Sequence, residues 1–308
     1  DEKVDYSYPI IAWHPSGKIL AMLIEKKGEP QMRYFLLDEK KTETVILYQF
    51  EKILDFAYSP DGRSMAMSAV VNGQSDVFIY DVGSNSFEQI TRDNYDDLHP
   101  RFIGNSNIIF SSNRESDTLR FERKYDPKKA QERYDLFMYR EDDNILRRVT
   151  KTPLSNEIMA MPYEKNYITY LSDQNGIYNR YIGWFDSAIS YIDTTTHYRY
   201  FTNSFPVTDY SRNILEHDVT PQVDKIGQVL FKDQQHYLQV IDREPVSSLQ
   251  PLTLRNTPYK EQLINLHGKP TVKNQKKEAK PGEQRGTKKR GFKTVRQSDA
   301  LKELIGAD

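Results

Sequence analysis

Six histidines, at positions 14, 99, 197, 217, 236 and 267, and 44 carboxylates are what this chain offers for acid–base or metal chemistry; it has no cysteine. The missing thiols remove disulfides, thiolate metal sites and a cysteine nucleophile together. The histidines never pair at the spacing of metal ligands. No Gly-x-Ser-x-Gly elbow, His-Glu-x-x-His helix, Walker-type phosphate loop or dinucleotide Gly-x-Gly-x-x-Gly is present. A carboxylate pair facing across a central funnel, as in glycoside hydrolases, stays geometrically open, but no spacing singles one out. The expectation is therefore no catalytic residue, no metal and no cofactor. Recognition chemistry is better represented, with 21 Tyr and 14 Phe. Tyr178, Tyr181, Trp184, Phe185, Tyr191 and Tyr198 crowd one excursion and Tyr210 follows in the next connection. Flat amphipathic rings give contact area at low entropic cost, so these seven are candidate binding residues. The competing reading is that they pack the core.

Charge is divided unevenly along the 308 residues. Residues 268–297 hold eleven Lys or Arg against Glu278 and Glu283, a local charge of +9, and residues 298–308 carry −2. With a total of −1, the body up to residue 267 carries −8. Mean hydropathy is −0.75, and no apolar run approaches the length of a bilayer-spanning helix. The basic stretch has almost no apolar residues and cannot offset its ordering entropy, so 256–297 reads as a disordered basic linker. Beyond it, Ser298 can cap a turn, Leu301, Leu304 and Ile305 fall on one helical face, and Gly306 can stop it. Residues 298–308 thus form a short amphipathic helix that docks on a partner. The basic stretch also admits nucleic acid or acidic lipid as a lesser alternative. The chain opens at Asp1 without an initiator methionine, which reads as a mature or excised piece of a longer product.

What positions these residues is a repeat. Trp13-His14-Pro15-Ser16-Gly17-Lys18 returns 45 positions later as Tyr58-Ser59-Pro60-Asp61-Gly62-Arg63, and a looser copy begins at Phe102 after His99-Pro100. Each copy leads into three β-rich runs, for example Met65–Ser68, Asp76–Asp81 and Phe87–Thr91. More degenerate units follow at Tyr167–Asp173 and at Gln228–Asp233, the last continued by Tyr237–Ile241 and closed by Leu249–Thr253. Pro15, Gly17, Pro60, Asp61 and Gly62 serve as turn formers: proline presets φ, aspartate bonds its own backbone, and glycine takes the positive φ. Trp13 and Tyr58, just before the turns, are expected to wedge between neighbouring units. Four short strands per 45 residues describe an all-β propeller of four-stranded blades, because a lone sheet buries its faces only against neighbours. Five repeats are visible, at about 9–52, 53–97, 98–156, 157–208 and 209–255, in a ring of five to seven blades; Lys3–Tyr8 is a candidate strand to complete the last one. Glu115–Arg133 is a mixed-charge insertion.

Ser59-Pro60-Asp61-Gly62-Arg63 with the strands after it and the closing Gln89-Ile90-Thr91 resembles the repeat of TolB-type β-propellers. The likeness is close over 53–91, fair over 10–48 and 98–150, weaker over 157–255 and absent beyond. It implies a bacterial, non-catalytic adaptor or scaffold in a cell-envelope assembly, periplasmic or envelope-associated, although a cytoplasmic location is compatible with the residues. Because related repeats also occur in peptidases, the alternative is the gating or substrate-binding propeller of a larger hydrolase such as a serine peptidase, or a five-bladed glycosidase. The family repeat transfers no catalytic residue.

Overall fold

A computed structural model describes residues 7–116, 119, 133–142, 144–192 and 196–267. The 45-residue period becomes five antiparallel sheets in chain order. The first blade holds β1 (Ile10–Trp13), β2 (Ile19–Lys26), β3 (Glu29–Leu36) and β4 (Lys41–Ile46). The second holds β5 (Lys52–Tyr58), β6 (Ser64–Val71), β7 (Gln74–Asp81) and β8 (Ser86–Gln89). The third holds β9 (Asp97–Ile103), β10 (Asn107–Ser112), β11 (Asp135–Arg140) and β12 (Ile145–Arg148). The fourth holds β13 (Glu157–Glu164), β14 (Tyr167–Ser172), β15 (Asn179–Ile192) and β16 (Thr196–Pro206). The fifth has three strands, β17 (Ile214–Thr220), β18 (Lys225–Lys232) and β19 (Gln235–Asp242).

Blades stack because their strands are apolar on both sides. Along β6, Met65, Met67 and Ala69 face a core shared with Ala21, Leu23 and Met32 of the first blade, while Ala66 faces Phe102, Ile108 and Phe110 of the third. Ile109, Leu136 and Met138 then meet Ala160, Ile168 and Tyr170 of the fourth, and Tyr163 and Ile182 meet Ile226 of the fifth. The turn motif behaves as its residue types demand. Ser59 Oγ donates to Asp61 Oδ1 at 2.6 Å, the Arg63 N–H donates to the same oxygen at 3.1 Å, and Gly62 sits at φ 75°. A Cβ on Gly62 would lie 2.2 Å from His14 Nε2, so this glycine is required twice over.

Polar hooks tie the closing segments of the second, third and fourth blades to their sheets. The Val77 N–H donates to Thr91 Oγ1, Leu136 to Thr150 Oγ1 and Arg180 to Thr208 Oγ1, each at 2.8 Å. Asp76, Asp135 and Asn179, one residue earlier in each third strand, accept from the same threonine hydroxyls. Between the second and third blades, Arg114 is fully buried, with Nη2 2.8 and 2.6 Å from the two Asp97 oxygens and Nη1 3.1 Å from Asp93.

Several expectations are corrected. Gln228–Asp233 does not open the fifth blade; it falls mainly in the second strand, and Ile214–Thr220 is the first. Leu249–Thr253 forms no strand: the Leu252 N–H donates to the Pro206 carbonyl as the chain returns along the fourth blade. Residues 258–267, placed in the linker, form α1 (Pro258–His267). That helix is pinned by Lys260, whose buried Nζ donates to Leu154 O, to Ser155 Oγ at 2.9 Å and to Asp173 O at 3.0 Å. Of Lys3–Tyr8, only Ser7 and Tyr8 lie among the described residues, and neither is in a strand.

Two stability predictions follow from these contacts. Burial, with Asp97 and Asp93 nearby, pushes the Asp76 carboxyl up to about 7. A folded pKa above the unfolded one stabilises below pH 4, and that contribution is lost as pH rises through 7. Urea unfolding should therefore show stability falling between pH 5 and 8, with Asp76→Asn recovering on the order of 1–2 kcal/mol at pH 8; a destabilised variant at pH 8 would contradict this. Lys260→Met should remove about 2 kcal/mol from the docking of α1 and speed proteolysis of 244–267 roughly tenfold, with the blades intact by circular dichroism.

Candidate interaction surface

The repeat lets each face be compared with its counterpart one blade on. Ile11, Trp13, Leu20, Met22 and Phe35 stand 45 positions before Phe56, Tyr58, Met65, Met67 and Tyr80. In the second blade that set packs against the first, with Phe56, Met65, Met67 and Tyr80 buried and Tyr58 half-buried. In the first blade the same face has no sheet over it among the described residues: Ile11 is 56% and Trp13 57% exposed. Trp13 is thus a wedge without the neighbour it was expected to meet, and the expectation that it packs between blades is corrected.

The fifth blade is uncovered on its opposite face. Register places Val229 opposite Leu238 and Gly227 opposite Val240. Leu238 is 76% and Val240 67% exposed, whereas Val77, which corresponds to Leu238, is fully buried under the third blade. Glu216 and Asp218 lie on this open side at the inner strand, paired with Val229 and Gly227. Two apolar sheet faces in water on one molecule are uncommon in a monomer and mark contact surfaces.

The candidate aromatics divide by depth. Tyr181 is buried, stacked on Tyr170 at 5.7 Å, with its hydroxyl donating to Gln174 Oε1 at 3.0 Å. Phe185 is buried and stacked on Tyr200 at 5.6 Å. Trp184 is half-buried and meets Tyr167 edge-on. Tyr178 is half-buried, its N–H donating to Asn213 Oδ1, and Tyr210 accepts from Gln228 Nε2 at 3.0 Å. Tyr191 and Tyr198 belong to the outer part of the β15–β16 hairpin, opposite His197 and Ile189; their side chains lie outside the described residues. The 14 and 11 residues of these strands carry the hairpin past the eight of β7. Leu301, Leu304, Ile305 and the basic stretch also lie outside the described residues, as does most of Glu115–Arg133.

Several titratable groups in the interior are held by partners within the fold. Arg101 pairs with Asp55 at 2.6 Å on the inner strands. Burial beside Arg180 pushes His217 down to about 3, and the neutral ring is 2.8 Å from the Met159 carbonyl through Nε2. A histidine so held is no proton shuttle at neutral pH. Asp76, Asp93 and Asp97 bring carboxylate oxygens within 4.8 Å of one another, but the Arg114 guanidinium already bonds two of the three, taking the place a cation would need. A cleft of about 600 Å³ opens between Ile103–Gly104 and Pro162–Ile168, with Phe185 and Met138 in its wall and Arg243 at its rim. Arg243 is committed to Asp224 at 2.5 Å. Sequence reasoning missed both open faces, since nothing in the spacing marks which blades are terminal; the fall in motif quality after residue 157 was the one available signal.

No family model matches the chain, and no curated protein matches it. Solved structures do. TolB from Acinetobacter baumannii aligns with TM-score 0.52 and 15% identity, covering 76% of this chain and 51% of that one. A putative TolB from Agrobacterium tumefaciens aligns with TM-score 0.56 and 15% identity, covering 76% of each. The chain thus spans about half the length of the Acinetobacter protein. At this identity the likeness is one of fold: a β-propeller similar to TolB.

If the open faces are simply solvated, polar residues there should be neutral. Trp13→Ser and Leu238→Ser are each expected to move Tm by less than about 2 °C, while binding of an apolar-surface dye falls at least twofold. Loss of the cooperative transition in either variant would mean the face is internal.

Proposed function

We propose that this chain is a non-catalytic propeller adaptor that joins proteins in a bacterial cell-envelope assembly. The observation that carries the reading is the uncovered face of the first blade, where Ile11 and Trp13 stand in water at positions whose counterparts are core. An apolar sheet face of this kind gains on the order of 25 cal/mol per Å² when a partner covers it, so it favours stable protein contacts over transient small-molecule binding. The propeller scaffold supports this role, since its loops and faces are held rigidly and need no conformational change to dock. The TolB-like repeat supports the envelope setting. Among the described residues no helix is long and apolar enough to cross a membrane. The chemistry above supports a non-enzymatic role, for the buried histidine and the carboxylate cluster are both consumed by structural partners.

Photo-crosslinking in the native bacterium tests the reading. A photoreactive residue at Trp13 should give adducts of discrete mass in the envelope fraction, absent when it is placed at exposed Glu43 on the outer strand, and lost on adding Met22→Asp. No adduct, or adducts equally strong at both sites, would sink the adaptor reading.

A further inference from the structure

Among the described residues the outer edge of β19 is unpaired. Each of the other four blades has a fourth strand, whereas β19 pairs with β18 alone and all but Ile241 of its residues are exposed. Its register matches β7: both strands run eight residues from Gln to Asp, with Lys225 opposite Asp242 as Ser64 is opposite Asp81. In the second blade the fourth strand sets Phe87 opposite Tyr80 and Gln89 opposite Phe78, and the Ile90 N–H donates to Val77 O at 2.8 Å. The third blade repeats this with Leu146 opposite Tyr139 and Arg148 opposite Phe137. Both closing segments therefore read apolar, two polar, apolar: Phe87-Glu88-Gln89-Ile90 and Leu146-Arg147-Arg148-Val149. An exposed edge carrying Leu238 and Val240 is a template for one more strand.

We propose that residues 291–296 of this same chain, Gly291-Phe292-Lys293-Thr294-Val295-Arg296, supply the fourth strand of the fifth blade. Phe292-Lys293-Thr294-Val295 has the same apolar spacing as the two closing segments, with the glycine where Ser86 and Ile145 stand. Leu301 and Leu304 share the spacing but sit among Ala, Lys and Glu, which favour helix; the segment at 292–295 alone in the tail joins it to aromatic and β-branched residues. Alignment on β7 sets Phe292 opposite Ile241, Thr294 opposite Gln239 and Val295 opposite Leu238. Phe292 then lies over Ile241, which packs at the junction with the fourth blade. The Val240 N–H gains the Lys293 carbonyl as acceptor, at the position where Ile79 pairs with Glu88 in the second blade. The threonine hook is absent here, because Tyr237 replaces Asp76 and Arg296 replaces Thr91.

The chain reaches. α1 ends at His267, leaving 24 residues before Phe292. A flexible connection of that length has a root-mean-square span of roughly 27 Å and an extended limit near 80 Å, and the entropy of closing such a loop grows slowly with length. This proposal concerns an edge and stands apart from the adaptor reading, which concerns a face.

The absence of native cysteine makes the test clean. Gln239 and Thr294 would form a non-hydrogen-bonded pair, the geometry suited to a cross-strand disulfide. Gln239→Cys with Thr294→Cys in the full chain should oxidise to an intramolecular disulfide at least fivefold more than Gln239→Cys with Val295→Cys, whose side chains point to opposite faces. In hydrogen exchange, the Val240 amide should exchange at least tenfold faster in Val295→Pro, with Lys276→Pro as the unaffected control. Equal disulfide yields for the two pairs, or no change in exchange on Val295→Pro, would overturn the assignment. Protection of the Val240 amide that appears only on adding an envelope extract would overturn it too, giving the strand to a partner chain.

Discussion

A sheet apolar on both sides cannot stand alone in water, and everything else in this molecule answers that constraint. Met67 and Ala66, adjacent in one strand, face different blades. Removing either neighbour would leave half of the strand's side chains in solvent. Each blade is therefore stable only as the middle of a stack, and the two ends of the stack are where the constraint goes unmet. Trp13 and Leu238 are exposed for the same reason that Tyr58 and Val77 are covered.

Apolar stacking alone would leave the blades free to slide, and the polar interior restricts this. The threonine hooks fix the closing segments of the second to fourth blades against their own third strands, while Arg114, bonded to Asp97 and to Asp93 in the connection before it, lies over the rings of Phe110 and Phe137. Buried charge of this kind contributes little net stability but is costly to leave unpaired, so it penalises misregistered stacks more than it rewards the correct one.

Much of the fold was legible in the chain because turn chemistry is local. Pro60-Asp61-Gly62 announces its own geometry, and with a period of 45 it implies blades. Where the motif decays the reading slips: the fifth blade lacks that turn, and its first strand, Ile214–Thr220, carries Glu, His and Asp that hide its alternation. Helix α1 was hidden in a polar stretch because Lys260, a residue normally read as solvated, is its buried anchor. The surface was the least legible, since exposure at Trp13 depends on what the other described residues leave uncovered, which no local pattern encodes. Tyr181 and Phe185 show the converse, aromatic residues whose density suggested a surface and whose positions are interior.

The route of the chain after the fifth blade has a mechanical consequence. Residues 243–257 run back along the fourth blade, and Lys260 fastens the helix to carbonyls at the junction of the third and fourth. Tension applied to α1 thus enters the array at its middle, across Leu154 and Asp173, instead of peeling the last blade strand by strand. Such a load is shared as shear by two blades flanked on both sides, and the terminal blade is spared until the lysine lets go.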